Sequence, residues 1–233
     1  MAPNRHGRAR IVSLSASQGD LSKLLQRRLG NLLDSSVKLH QVEVFVRLLV
    51  RWNARVNLVG ARTIDELIER HLAESLAALA LLPLGSLALA DVGSGAGLPG
   101  IPLKIARPGM RLYLVERQQK KAVFLRQAAR EIGLQNVHVV EETWETWCRS
   151  DSAPQLDGVV SRAALDPELL ISAALPLLGP GGLILLFLGR EKAEALEKYR
   201  GEATQPGAAA LRWMGASLLP GSRGRFLVHL QRP

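Results

Sequence analysis

Ala90-Asp91-Val92-Gly93-Ser94-Gly95-Ala96-Gly97-Leu98-Pro99-Gly100 decides the fold. It closes a short apolar run, residues 87–92, and opens a helical pattern over residues 98–107. Glycines permit tight turning and let backbone amides face a ligand. The segment therefore reads as strand, loop and helix, and serves either a nucleotide-like cofactor or a purely structural turn. Counted from Gly93, a dinucleotide fingerprint needs its third glycine where Leu98 stands; counted from Gly95, the spacing Gly95, Gly97, Gly100 satisfies it. That register starts late, and Pro99 within it offers no amide to a pyrophosphate. The lysine and hydroxyl of a phosphate-binding P-loop are missing after these glycines, which argues against an ATPase or GTPase of that type.

Beyond the loop, apolar runs alternate with helical patterns. Strands are expected at residues 112–116, 137–140, 158–161 and 183–188, and helices at 118–132, 167–177 and 191–199. This alternation is the signature of a mostly parallel sheet covered by helices. Residues 211–217 and 226–231 add a final strand pair turning at Gly221 and Gly224, and residues 207–210 read as a loop. Glu116 ends the second strand, where an acidic side chain accepts hydrogen bonds from both hydroxyls of a ribose; its other reading is a solvated carboxylate beside Arg117 or Lys120. Asp91 accepts amides of the glycine turn or a ligand ammonium.

Ahead of the loop the pattern is helical. Residues 18–33 carry leucines at helical spacing. Residues 40–58 place Val42, Phe45, Leu49, Trp52 and Val56 on one stripe and Arg47, Arg51 and Arg55 on another. Thr63 and Glu66 form a capping-box pattern that opens a third helix through Leu67, Leu72, Leu76 and Leu79. His71, four residues after Leu67, falls on the inward side of that helix and reads as a hydrogen-bonded structural histidine ahead of its other reading, a general base. The division expected is a basic, mobile tail over 1–17 containing Arg5, Arg8 and Arg10, a helical extension over 18–85, and an α/β domain over 86–233.

Composition narrows the class. With 47% hydrophobic and 22% charged residues, the chain can build a substantial core and is not disordered. No apolar run reaches the ~20 residues of a membrane helix, and the basic N-terminus lacks a secretory signal's apolar stretch, so a cytoplasmic protein with no membrane partner is expected. The single Cys148 supplies neither an internal disulfide nor a zinc cage, and no metal site is expected. Thirty Lys and Arg against 21 Asp and Glu give a net charge of +9, which favours a polyanion by long-range attraction. Arg47, Arg51 and Arg55, with Lys120 and Lys121, are candidate contacts to RNA phosphate, or else solvated helix faces.

The loop from Asp91 to Leu103 resembles the cofactor loop of the bacterial small-subunit (16S) ribosomal RNA guanine-N7 methyltransferases, the glucose-inhibited division protein B family. Three further segments agree with that family in order and spacing: Arg51-Trp52-Asn53-Ala54-Arg55-Val56-Asn57-Leu58, Arg70-His71-Leu72-Ala73-Glu74-Ser75-Leu76, and Asp157-Gly158-Val159-Val160-Ser161-Arg162-Ala163. The match spans roughly residues 42–188. The resemblance implies a Rossmann-like S-adenosylmethionine-dependent methyltransferase sheet with an N-terminal helical extension. It also implies methyl transfer to guanine N7 in 16S ribosomal RNA of the small subunit, with no DNA partner. The family's cofactor positions fall on Gly93, Leu98, Trp144, Glu145 and Arg162, beside the residue-level candidates Asp91, Gly95 and Glu116; Trp144 also reads as plain core. Two positions depart from the family pattern. Leu188-Gly189-Arg190 replaces its Lys-Gly, leaving Arg190 as the candidate substitute, and Glu74 stands where an aspartate is usual. The other readings are a related methyltransferase acting on another RNA or a small molecule, and a ribosome-assembly factor that binds the cofactor without turnover.

Overall fold

A computed structural model describes residues 18–162, 164–197, 211–222 and 224–233. The expected tail over 1–17, the last residues of the expected helix over 191–199, and the expected loop over 207–210 lie outside the described residues.

The α/β part follows the sequence pattern closely. Strands β1 (Ala88–Val92), β2 (Arg111–Val115), β3 (Val137–Val140), β4 (Leu156–Arg162), β5 (Leu178–Gly189), β6 (Arg212–Leu218) and β7 (Arg225–Gln231) form one sheet in the order β3-β2-β1-β4-β5-β7-β6. The first five are parallel; β7 runs antiparallel to β5 and to β6. The expected final strand pair thus joins the main sheet, with β7 rather than β6 adding to its edge. Parallel strands need covering on both faces, and two apolar clusters provide it. On one face α7 (Trp144–Cys148) and α8 (Pro167–Ala174) pack with β-residues such as Ala90, Val159 and Ile184; α9 (Arg190–Ala195) joins them through Ala193. The short α7 was not expected as a helix. Its start is set by Thr143, whose hydroxyl accepts the Thr146 amide at 3.2 Å, the usual way a threonine satisfies an orphan amide of the first turn.

The other face is covered by α5 (Gly100–Ala106), α6 (Gln119–Ile132) and the N-terminal helices, α1 (Gln18–Leu29) and α2 (Ser36–Asn53). Leu21, Phe45, Leu49 and Leu72 of the extension lie in one cluster with Leu112, Phe124 and Leu185. At roughly 1.5–3 kcal/mol per fully buried aliphatic or aromatic side chain, this shared core ties the extension firmly to the sheet.

The third expected helix begins as expected, with Thr63 capping the Glu66 amide at 3.1 Å and Glu66 answering to the Arg62 amide at 2.8 Å. It does not continue as one α-helix. After α3 (Ile64–Leu67) comes a π-helical turn, Ile68–Ala73, then α4 (Glu74–Ala77) and a 3₁₀ turn, Ala78–Leu81. Leucines 67 and 72 are five apart, which an α-helix would set on different faces; the wider π turn brings both inward, and both are fully buried.

Candidate active site

The glycine loop is tied to the end of β2 by its own backbone. Gly93 and Ser94 amides donate to the Val115 carbonyl at 2.9 and 3.1 Å, and the Gly97 amide to Ser94 at 2.7 Å. Gly93, Gly95 and Gly97 all have positive φ, at 67°, 52° and 76°, a region that a Cβ disfavours. Their needs differ. A Cβ at Gly93 would overlap Ala164 and one at Gly97 would overlap Ile101, whereas at Gly95 the nearest atoms are 3.6 and 3.9 Å away, and Gly95 borders a cavity. Glycines 93 and 97 let the chain pack, and Gly95 leaves space for a ligand.

Glu116, 5% exposed, accepts the Gly95 amide at 3.0 Å through Oε2 and the Gln118 amide at 2.8 Å through Oε1. Each oxygen retains a lone pair for a ligand hydroxyl. Asp91 lies beneath the loop, fully buried, with Oδ2 accepting the Gly100 amide at 2.9 Å and Oδ1 without a partner. Burial pushes its carboxyl up to about 7, against the pull of the Gly100 amide and with the nearby Glu116 charge raising it further. It does not line the cavity. Of its two sequence readings, the turn brace is the one these contacts display.

The cavity, about 590 Å³, is of the size that takes a cofactor-sized ligand. Gly93, Gly95 and Leu98 line it from the loop, Glu116 from the end of β2, and Trp144 with Glu145 from α7. Trp144 is only 2% exposed; its Nε1 donates to the Leu170 carbonyl at 3.3 Å and its ring packs on Trp147. It is thus a core residue with one edge on the cavity. Glu145 is half-buried in the first turn of α7. Positive φ at Gly95, the open space beside it and the acidic Glu116 fit a nucleoside cofactor of this chemistry. Cys148, half-buried, has its thiol pushed up to about 12, by burial first and the Glu145 carboxylate second; it is a poor nucleophile at neutral pH.

The remaining wall comes from the N-terminal extension. Leu58, Val59 and Gly60 line the cavity, and so do His71 and Arg162. Buried Asn53 holds the first of these in place: its side chain accepts the Leu58 and Val59 amides at 2.8 and 3.0 Å and donates to the Val59 carbonyl at 3.0 Å. Arg162 ends β4, but its guanidinium turns toward the extension. It donates to Oε2 of Glu74 at 2.7 Å, to the Arg70 carbonyl at 2.7 Å and to the His71 carbonyl at 3.4 Å. Arg225 of β7 pairs with the same Glu74 oxygen and with the Arg70 carbonyl. Glu74 is wholly buried and its Oε1 has no partner. His71 keeps the burial its inward position implies and also lines the cavity; its pKa is pushed down to about 3, by burial first and then by Arg162, Arg225 and Arg70.

The basic candidates scatter. Arg47 is bound to buried Glu43 at 2.8 Å, and Arg51 reaches Glu131 at 3.3 Å. Helix α2 stops at Asn53, so Arg55 lies beyond it, exposed, and the expected stripe is cut short. Lys121 lines the cavity beside Arg117, whereas Lys120 does not. Glu131, ten residues further along α6, puts the Arg51 pair roughly 15 Å from Lys121. Arg190 begins α9, exposed, with its guanidinium 5.4 Å from the Phe226 ring centre and away from the cavity lining. Glu74, Arg225, Asn53 and the 58–60 segment went unrecognised as parts of the site. Asn53, Leu58 and Glu74 belong to the Trp-Asn and Arg-His segments, with Val59 and Gly60 just after the first, whereas Arg225 lies in the last strand and carried no such signal.

Sheet order, glycine loop and acidic strand end together define an S-adenosylmethionine-dependent α/β methyltransferase. A solved methyltransferase of that kind from Aquifex aeolicus shares the fold, with a TM-score of 0.56 at 14% identity over 72% of this chain and 93% of its own. The model of the family described as rRNA small subunit methyltransferase G matches residues 38–216. Proteins named ribosomal RNA small subunit methyltransferase G from Halorhodospira halophila and Acidiphilium cryptum are 41% and 38% identical. They cover 75% and 84% of this chain, and 81% and 94% of their own lengths are matched. The chain belongs to the rRNA small subunit methyltransferase G family. It is an enzyme whose cofactor is S-adenosylmethionine.

Proposed function

We propose that this enzyme transfers a methyl group to N7 of a guanine in 16S ribosomal RNA, with the small ribosomal subunit in the cytoplasm as its partner. One observation carries the N7 assignment. Where the cavity meets the extension, the polar side chains among the described lining residues are His71 and, from the end of β4, Arg162. A guanidinium does not release its proton near pH 7, and a histidine held near 3 is too weak a base to take one. Guanine N7 already presents a lone pair and needs no base, unlike an exocyclic amine. The cofactor supplies a methyl carbon on a sulfonium, already activated for attack. The chain's own residues then do the work of positioning, which contributes roughly 7 to 11 kcal/mol in favourable cases.

Within this reading Gly93, Gly95, Leu98 and Glu116 hold the cofactor, Trp144 and Glu145 flank its base, and Asp91 fixes the loop from below. Lys121 and Arg117 at the cavity, with Arg55 and the other exposed arginines, meet RNA phosphate. No helix among the described residues is long and apolar enough to cross a membrane. The test is transfer of labelled methyl to purified small subunits from cells lacking this protein, followed by mass spectrometry of the nucleosides. Labelled 7-methylguanosine in the small-subunit RNA is expected; another labelled nucleoside would redirect the substrate assignment, and no transfer would favour the binding factor.

A further inference from the structure

The π turn, the cavity and the ionic cluster meet at one place. A π-helical turn widens the backbone spiral, and such turns recur at functional sites. Here the carbonyls of Arg70 and His71 face the sheet and are taken up by Arg162 and Arg225, with the Ser75 hydroxyl adding a bond to His71 at 2.5 Å. Buried Glu74, one residue past the turn, holds both guanidiniums. The turn is therefore clamped from the sheet side. What the clamp presents on its other side is the His71 side chain, on a wall it shares with Leu58 and Val59. The cavity thus has a cofactor part built by the sheet and a second part built mainly by the extension, with Arg162 of β4 beside it.

We propose that this second part is the subsite for the target base, with His71 as the side chain that touches the purine and Arg162, Glu74 and Arg225 as positioning residues acting through the turn. The inference rests on the methyltransfer reading and extends it to the substrate's own contacts. A base recessed in a duplex cannot reach such a wall, so the target nucleotide enters unstacked. Leu58 and Val59, fixed by Asn53, supply apolar surface for the ring. His71 supplies polarity. A neutral imidazole carries one N–H donor and one bare nitrogen on diverging sides of its ring, so one of them can meet the guanine edge, as donor to O6 or as acceptor from N1–H. Burial and the surrounding guanidiniums keep the ring in that neutral form.

The proposal separates from a cofactor role for Arg162 by experiment. Single-turnover methyl transfer to small subunits is measured at saturating cofactor, with calorimetry of the demethylated cofactor product and a melting curve for each variant. His71→Ala is expected to lower transfer at least thirtyfold while cofactor affinity stays within threefold, and His71→Asn, which keeps a donor and an acceptor, to recover part of the loss. Arg162→Lys is expected to lower transfer at least tenfold, again with cofactor affinity within threefold. In the His71→Ala background Arg162→Lys should add less than threefold, since a residue that acts through His71 has nothing left to position. Full additivity, unchanged transfer by His71→Ala, or parallel loss of cofactor affinity would overturn the proposal. If His71→Ala unfolds, the same criteria apply to His71→Asn and its pairing with Arg162→Lys. Nucleoside analysis of the wild-type product keeps the two readings apart: a product other than 7-methylguanosine removes the guanine assignment, while the variant rates still decide whether His71 lines the target site.

Discussion

Asp91 and Glu74 are both fully buried carboxylates with one unpartnered oxygen, yet the protein accommodates them in opposite ways. Asp91, under the glycine loop, accepts a single backbone amide and has no cation beside it, so burial drives it toward the protonated form, up to about 7. Glu74, at the joint between extension and sheet, takes two guanidiniums. A buried charge is tolerated only when neutralised or paired. The first solution is local, since its partner Gly100 lies nine residues away on the same strand-loop-helix unit. The second draws residues 74, 162 and 225 together from three separate parts of the chain. The cofactor side of the cavity is thus held by short-range backbone geometry, and the extension side by long-range ion pairs.

The sharpest way to break the contrast is to remove the paired charge. Glu74→Gln should destabilise by about 3 kcal/mol, because it strands two half-buried or buried guanidiniums. At this chain length that is a fall in Tm of roughly 6 to 12 °C. A change below 2 °C in a melting curve would mean that the cluster is solvated and holds nothing. On the cofactor side, Gly95→Val should weaken binding of the demethylated cofactor product at least a hundredfold, about 2.7 kcal/mol. It puts a branched side chain at a φ of 52° on the cavity lining. Calorimetry on the folded variant checks this, and unchanged affinity would remove the loop from the site.

The neutral carboxylate gives a pH test with a definite sign. The Asp91 pKa is raised in the fold, from 3.8 to about 7, so its stabilising protonated form is fully present below pH 3.8 and is lost as pH rises through 7. Asp91→Asn should therefore gain stability relative to wild type between pH 4 and 8. His71, whose folded pKa is lowered from 6.5 to about 3, acts in reverse and loses stability as pH falls through that window. Because His71 is present in both proteins, the difference between their melting curves isolates Asp91. A flat difference would mean the Asp91 carboxyl is ionised throughout. The smallest effect concerns RNA. Lys121→Glu, at the cavity, should lower small-subunit affinity severalfold and flatten its salt dependence. Arg51→Glu, on a residue already facing Glu131, should change it less than twofold; equal effects in a filter-binding salt series would place both on the RNA.

Much of this was legible because its causes are local. The period change near residue 87 announces the sheet, and the Thr63 and Glu66 pair announces a helix start. The glycines around Asp91 demand a turn at the end of a strand whatever surrounds it. Glu116 is readable for the same reason: a strand that follows such a loop in a parallel sheet ends beside it. The helical extension was also readable from leucine spacing, but its relation to the cavity was not. Leucine spacing suggests one straight helix through Leu67 and Leu76, and only the five-residue step between two fully buried leucines, satisfied against the sheet, accounts for the wider turn.

The sequence by itself determined the α/β alternation, the loop and the family, because each depends on residue types at fixed short spacing. Tertiary structure alone decided that Asp91 braces the loop, that Trp144 is mostly core, that Arg47 and Arg51 already face acids, and that Arg162 turns away from the loop to Glu74. Charge and hydrogen-bonding capacity can be read from a residue's name, but the partner that satisfies them is chosen by proximity in the fold, and these partners come from distant stretches of chain.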